Sequence, residues 1–167
     1  MAFYVTSSVI GVDLNSTSTT ALFALGATVE GSDGTLWEYV TASTSVSAYA
    51  VVAISTSGTC GMASVLDAVS GLQLAVAQNA FAANDYGWVP IRGTGGGTNQ
   101  MRVLCSSTMS GGNALYFGSR TGVVSIQAPG SATAQGITVY GASGSDHATT
   151  TSLAAVITWP KCNMVGA

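Results

Sequence analysis

The chain has 167 residues, of which 47% are hydrophobic and only 7% charged, with a formal net charge of -3. Its four basic residues, Arg92, Arg102, Arg120 and Lys161, are too few for the cationic stripe that a phosphate backbone demands, so nucleic acid is not an expected partner. High hydrophobicity with little charge excludes compositional disorder, and no apolar run reaches the ~18 residues of a membrane helix.

The first 26 residues stand apart from the rest. "SSVIGVDLNSTSTTALFALG" is rich in hydroxyls, with no clear alternation and no turn punctuation, which suggests an extended arm or the first strands, lying over a neighbour or along the body. No basic stretch followed by an apolar one opens the sequence, so export by a signal peptide is not expected. Residues 27–167 are expected to form one all-β domain, a small barrel or sandwich of short antiparallel strands.

In "TLWEYVTA", Trp37 and Tyr39 fall on one face, and Leu36, Glu38 and Val40 on the other, the period-two pattern of a strand. "AVVAIS", "LQLAVAQ", "GWVPIRG", "MRVLCS", "ALYFGS", "GVVSIQ", "GITVYG" and "SLAAVITWP" read as further strands. Between them lie clusters such as "GSDGT", "STSGT", "AANDYG" and "GTGGGTN", whose small and Asx residues suit tight turns. One helical turn is expected near residues 63–69. Short strands at close spacing with polar turns imply a barrel or sandwich.

The corner "AANDYGWVPIRG" gathers unusual chemistry for so charge-poor a chain. Asn84 and Asp85 suit side-chain-to-backbone turn bonds, and Gly87 suits a conformation closed to other residues. Pro90 lacks a donor, so its strand should be at an edge or carry a bulge. Arg92 closes the strand, placed to pair with Asp85 or with a partner chain. Asp85, Tyr86, Trp88 and Arg92 are therefore candidates for a subunit contact.

Catalytic chemistry is not expected. His147 stands in the loop "GASGSDHATT", where a solvated histidine is the simpler reading, and no G-x-S-x-G elbow occurs. The carboxylates are dispersed, although folding could bring Asp33 or Glu38 to Asp85. Cys60, Cys105 and Cys162 lack metal-site spacing, and Cys105, alternating with Met101 and Val103, reads as a buried hydrophobe. No cofactor or metal is expected. A chain with so few charges to keep copies apart suits an assembly in which other subunits cover much of its surface.

The succession "LGATVEGSDGTLWEYVTASTSVSAYAVVAIS", "LAVAQNAFAANDYGWVPIRG", "MRVLCSS", "NALYFGSRTGVVS" and "AAVITWP" resembles the capsid decoration, or cement, proteins of tailed bacteriophages. The likeness runs from about Leu25 to Pro160, and it departs from the pattern at "GTGGGTN" and in the hydroxyl-rich first residues. It implies a β-rich protein made in the bacterial host cytoplasm that binds the exterior of an icosahedral virion, typically as a homotrimer. Its partners would be the major capsid protein and itself, with no membrane involved. Phe3, Tyr4 and Val5 on the arm are candidate capsid contacts, with an ordinary first strand as the competing reading. An alternative is a head-fibre or host-attachment module that recognises carbohydrate through Trp37, Tyr86 or Trp88.

Overall fold

A computed structural model describes residues 12–31, 34–64, 67, 72–92, 101–105, 115–117, 121–125, 135–137, 151–155 and 162–164. Every element with more than one described residue is a strand, and the architecture is all-β. The strands are β1 (Thr17–Ser18), β2 (Thr28–Glu30), β3 (Leu36–Ala42), β4 (Val51–Ile54), β5 (Thr59–Met62), β6 (Gln73–Val76) and β7 (Tyr86–Arg92), followed by β8 (Met101–Cys105), β9 (Leu115–Phe117), β10 (Val124–Ser125), β11 (Gln135–Ile137), β12 (Thr151–Ala155) and β13 (Cys162–Met164).

Among the described residues they form two sheets. The first has seven strands in the order β1-β7-β3-β5-β4-β6, with β2 also pairing β3, and the second has six in the order β12-β8-β10-β9-β11-β13. The first sheet is open, ending at β1 and β6 among the described residues, which favours the sandwich over the closed barrel. The pairing is mostly antiparallel as expected, but β3 with β5 and β10 with β8 run parallel. The long strand β3 makes the first of these possible: its first half pairs with β2, and Thr41 and Ala42 pair with β5 along the same edge.

The alternation read in "TLWEYVTA" sorts two cores onto the two faces of β3. Val40 and Ala42 join Val52, Ile54, Cys60, Ala75, Phe81 and Val89 in the inner cluster. On the opposite face Trp37 and Tyr39 join Trp88 of β7 and Leu14 of the amino-terminal segment. Burying a large apolar side chain stabilises by about 1.5–3 kcal/mol, so both faces of this sheet contribute to the fold. Pro90 sits opposite Trp37 at a register irregularity, the pairs passing from Trp37↔Pro90 to Leu36↔Arg92. That is the bulge its missing donor required.

The two sheets are joined by a backbone bond at one residue in a left-handed conformation and by side-chain bonds beside it. Tyr49 has φ 67°; its carbonyl accepts from Leu104 N at 2.7 Å, and its ring lies 5.0 Å from the Arg102 guanidinium. Gln78 mimics a strand residue beside it, its amide accepting from Arg102 N at 3.0 Å and donating to Arg102 O at 3.1 Å. Of the helical turn expected at 63–69, Ala63, Ser64 and Asp67 are described. Ser64 donates from N and Oγ to Asp67 Oδ2 at 2.8 and 2.7 Å, and Asp67 N donates back to Ser64 Oγ at 3.4 Å, the reciprocal bonding of a helix start.

Candidate functional site

The corner before β7 is built by backbone bonds. Val46 and Phe81 exchange N–H···O bonds of 2.9 Å each way, and Asp85 Oδ2 accepts from Ala82 N, three residues back, at 2.9 Å, a side-chain-to-backbone bond that closes the turn. Asn84 N donates to Ala42 O at 2.7 Å, and Ala42 N to Asp85 O at 2.9 Å, fixing the corner to the end of β3. The left-handed residue here is Asn84, at φ 68°, and not Gly87. Gly87 answers a different need: a Cβ there would come 2.7 Å from Phe81 Cε1 and 3.2 Å from Ser16 O, so its hydrogen lets the amino-terminal segment lie close on β7.

Arg92 does not meet Asp85. Six residues of extended chain separate them by roughly 20 Å, and Arg92 Nη2 lies instead 3.7 Å from Glu30 Oε1 on β2. Nor does Glu38 approach Asp85; its Oε2 accepts from Gln73 Nε2 at 2.7 Å. Asp33, Phe3, Tyr4, Val5 and His147 lie outside the described residues.

Residues 12–25 run across the outer face of β3 and β7. β1 pairs antiparallel with β7, Thr17 opposite Gly87 and Ser18 opposite Tyr86, and Leu14 is fully buried in the aromatic cluster. Phe23 meets Tyr39 edge-on at 5.2 Å and Trp88 at 5.3 Å, while Tyr39 lies 5.1 Å from Trp88 and 6.3 Å from Tyr86. Leu22 N donates to the Tyr39 hydroxyl at 3.0 Å. This segment therefore behaves as a strap over its own sheet.

A cleft of about 200 Å³ opens beneath the strap, with Phe23, Tyr39, Tyr86 and Trp88 as its apolar wall and Asp13, Ser16 and Ser18 on its polar side. Asp13 Oδ1 accepts from Asn15 N at 3.0 Å. Trp37 and Trp88 are only 5% and 4% exposed, so neither presents a ring face to a sugar; Tyr86 alone of that set is half-buried.

The strap's outer side is what sequence reasoning missed. Leu22 is 66%, Phe23 39% and Leu25 40% exposed, the large hydrophobics that face outward among the described residues. Leu25 rides on the β4–β5 hairpin, where a Cβ on Gly58 would come within 2.8 Å of its own. No charged residue occurs between Asp13 and Glu30 or between Glu38 and Asp67. The patch is therefore an apolar ridge flanked by hydroxyls, including the linked Ser55, Ser57 and Thr59 side chains.

A second concavity of about 450 Å³ adjoins that hairpin and shares Ser55 and Thr59 with the hydroxyls beside the ridge. β4 and β5 turn Val52, Ile54 and Cys60 into the inner core, leaving Ala53 opposite Gly61 at the groove's base, with Ser43, Ser55, Thr59 and Asp67 among its lining. Cys60 is a free buried thiol whose pKa burial pushes up to about 11, against the partial opposition of a backbone hydrogen bond. The Cys105 side chain lies outside the described residues. Among the described residues no cluster of three or more His, Cys, Asp or Glu could hold a metal ion, and no helix is long and apolar enough to cross a membrane. No family model, curated protein or solved structure matches this chain.

Proposed function

We propose that this chain is a structural virion protein of a tailed bacteriophage, a decoration or cement protein that binds the exterior of the icosahedral capsid as a homotrimer and ties neighbouring capsomers together. The observation that carries the reading is the surface of residues 14–29: free of charge and with Leu22, Phe23 and Leu25 facing outward, it has the apolar centre and hydroxyl rim of a contact surface and not of a freely diffusing monomer. The sequence resemblance to decoration proteins supplies the kind of assembly. Binding the mature shell and not its dissociated parts favours the shell by mass action, multiplied over many copies. The carbohydrate-binding alternative needs exposed aromatic faces, and two of its three rings, Trp37 and Trp88, are buried.

The test is cosedimentation of the purified protein with capsids of its phage that lack it, alongside a truncation of residues 1–11. The cut stops there because Leu14 is fully buried and removing it would damage the fold. Saturable binding that raises the shell's disruption temperature is the expected result, and its loss in the truncation would assign the contact to Phe3, Tyr4 and Val5. Absence of binding to any shell would overturn the reading.

A further inference from the structure

We propose that the Leu22–Phe23–Leu25 ridge of one copy seats in the groove over β4 and β5 of a second copy. The inference rests on the self-association in the reading above and not on the shell. Ridge and groove are both present on each chain, and they fit in size and chemistry. The ridge offers a leucine 66% exposed beside a phenylalanine and a second leucine about 40% exposed. The groove, about 450 Å³, has room for a leucine and a phenylalanine side chain together, with Ala53, Met62 and Leu72 as apolar lining and the Ser43 hydroxyl beside Gly61.

Charge selects the same pairing. Residues 14–29 and 39–66 contain no charged side chain, and the groove's one charged lining group among the described residues, Asp67, already accepts two hydrogen bonds from Ser64 on one oxygen. A surface so neutral offers a charged partner nothing to pair with, and it meets another neutral surface with no desolvation of ions. The chain's own ridge cannot occupy its own groove, because Phe23 is held against Tyr39 and Trp88 and Leu25 against the hairpin at Gly58. The occupant is therefore the ridge of another molecule, in a heterologous contact that uses two different patches.

The experiment measures self-association of the full chain by sedimentation equilibrium for four proteins: wild type, Leu22→Asp, Thr44→Arg and the double variant. Leu22 and Thr44 are exposed and Thr44 lines the groove, so both substitutions spare the fold, which circular dichroism verifies. Each single variant should weaken association by about tenfold or more, the scale expected when one large apolar side chain no longer seats or one charge is buried without a partner. The double variant should recover most of that deficit, because the carboxylate introduced on the ridge of one copy then faces the guanidinium introduced in the groove of the next. A wild type that stays monomeric at millimolar concentration would overturn the proposal. So would a Leu22→Asp effect with no Thr44→Arg effect, which would mean ridge against ridge, or a double variant no better than the worse single. Shell binding that survives in a chain with no self-association would leave the decoration reading standing while removing this one.

Discussion

Gly87→Ala is the sharpest test of how the strap is seated. The added methyl would meet Phe81 Cε1 at 2.7 Å, Phe81 Cζ at 3.1 Å and Ser16 O at 3.2 Å, and the first distance is shorter than carbon atoms tolerate. Phe81 is 3% exposed in the inner core and its backbone is bonded both ways to Val46, so its ring has little freedom to retreat. Overpacking of this kind costs about 1–3 kcal/mol, which for a chain of this size lowers Tm by roughly 2–4 °C per kcal/mol. Denaturant unfolding of wild type, Gly87→Ala, Phe81→Leu and the double variant would measure it. Phe81→Leu alone should cost about 1–2 kcal/mol through poorer packing, but it also removes the clashing atoms. The double variant should then be more stable than the sum of the singles predicts, by about 1 kcal/mol. A Gly87→Ala cost below about 0.5 kcal/mol, or strict additivity, would refute the close approach of strap, corner and β7.

Other consequences are open to simpler measurement. At Tyr49, φ 67° is a conformation glycine enters freely, so Tyr49→Gly should be less destabilising than Tyr49→Ala by about 1 kcal/mol, although both remove the ring over Arg102; equal effects would deny a strained junction. The Arg92–Glu30 pair, 3.7 Å apart with Glu30 64% exposed, is the weak kind of ion pair, and Glu30→Gln should change stability by less than about 0.5 kcal/mol. Cys60 holds its proton to about pH 11 in the fold against 9.0 for the free thiol. The unfolded chain ionises first on raising the pH, so the thiol's contribution is complete below pH 9.0 and fades between there and about 11. The stability difference between wild type and Cys60→Ala should shrink across that window; a flat difference would refute the burial.

What the sequence revealed and what it hid divide along physical lines. Strands with a long apolar pattern, such as β3, β4, β6 and β7, were legible because side chains alternate or cluster where a core must form. β1, β2, β5 and β13, running "TS", "TVE", "TCGM" and "CNM", were not, because strands this short owe their existence to a neighbour's edge and carry no pattern of their own. The parallel pairing of β3 with β5 is hidden for the same reason: it depends on β3 outrunning β2. At the corner, a side-chain-to-backbone bond of Asp85 is legible in "AND", but the left-handed residue is Asn84 and not Gly87. Composition marks both as residues tolerant of unusual backbone, and only the position of Phe81 shows that Gly87 is kept for space. Arg92 paired with Glu30 because strand length, which the sequence gives only to within a few residues, decides which acid lies within reach.

The strap explains where the chain's surplus of apolar surface goes. A sheet with cores on both faces needs a cover for the second one, and here the cover is the segment 12–25 instead of another sheet. Leu14 and one face of Phe23 serve the cluster of Tyr39 and Trp88, but an extended segment shows its other side chains to solvent, so sealing the aromatic face displaces exposure outward to Leu22, Leu25 and the rest of Phe23. A monomer selected for solubility would place a charge at an outward position such as that of Leu22, 66% exposed. This chain places leucines there and no charge from residue 14 to residue 29. The fold thus moves its apolar surface to a second boundary, and association is the step that would cover it.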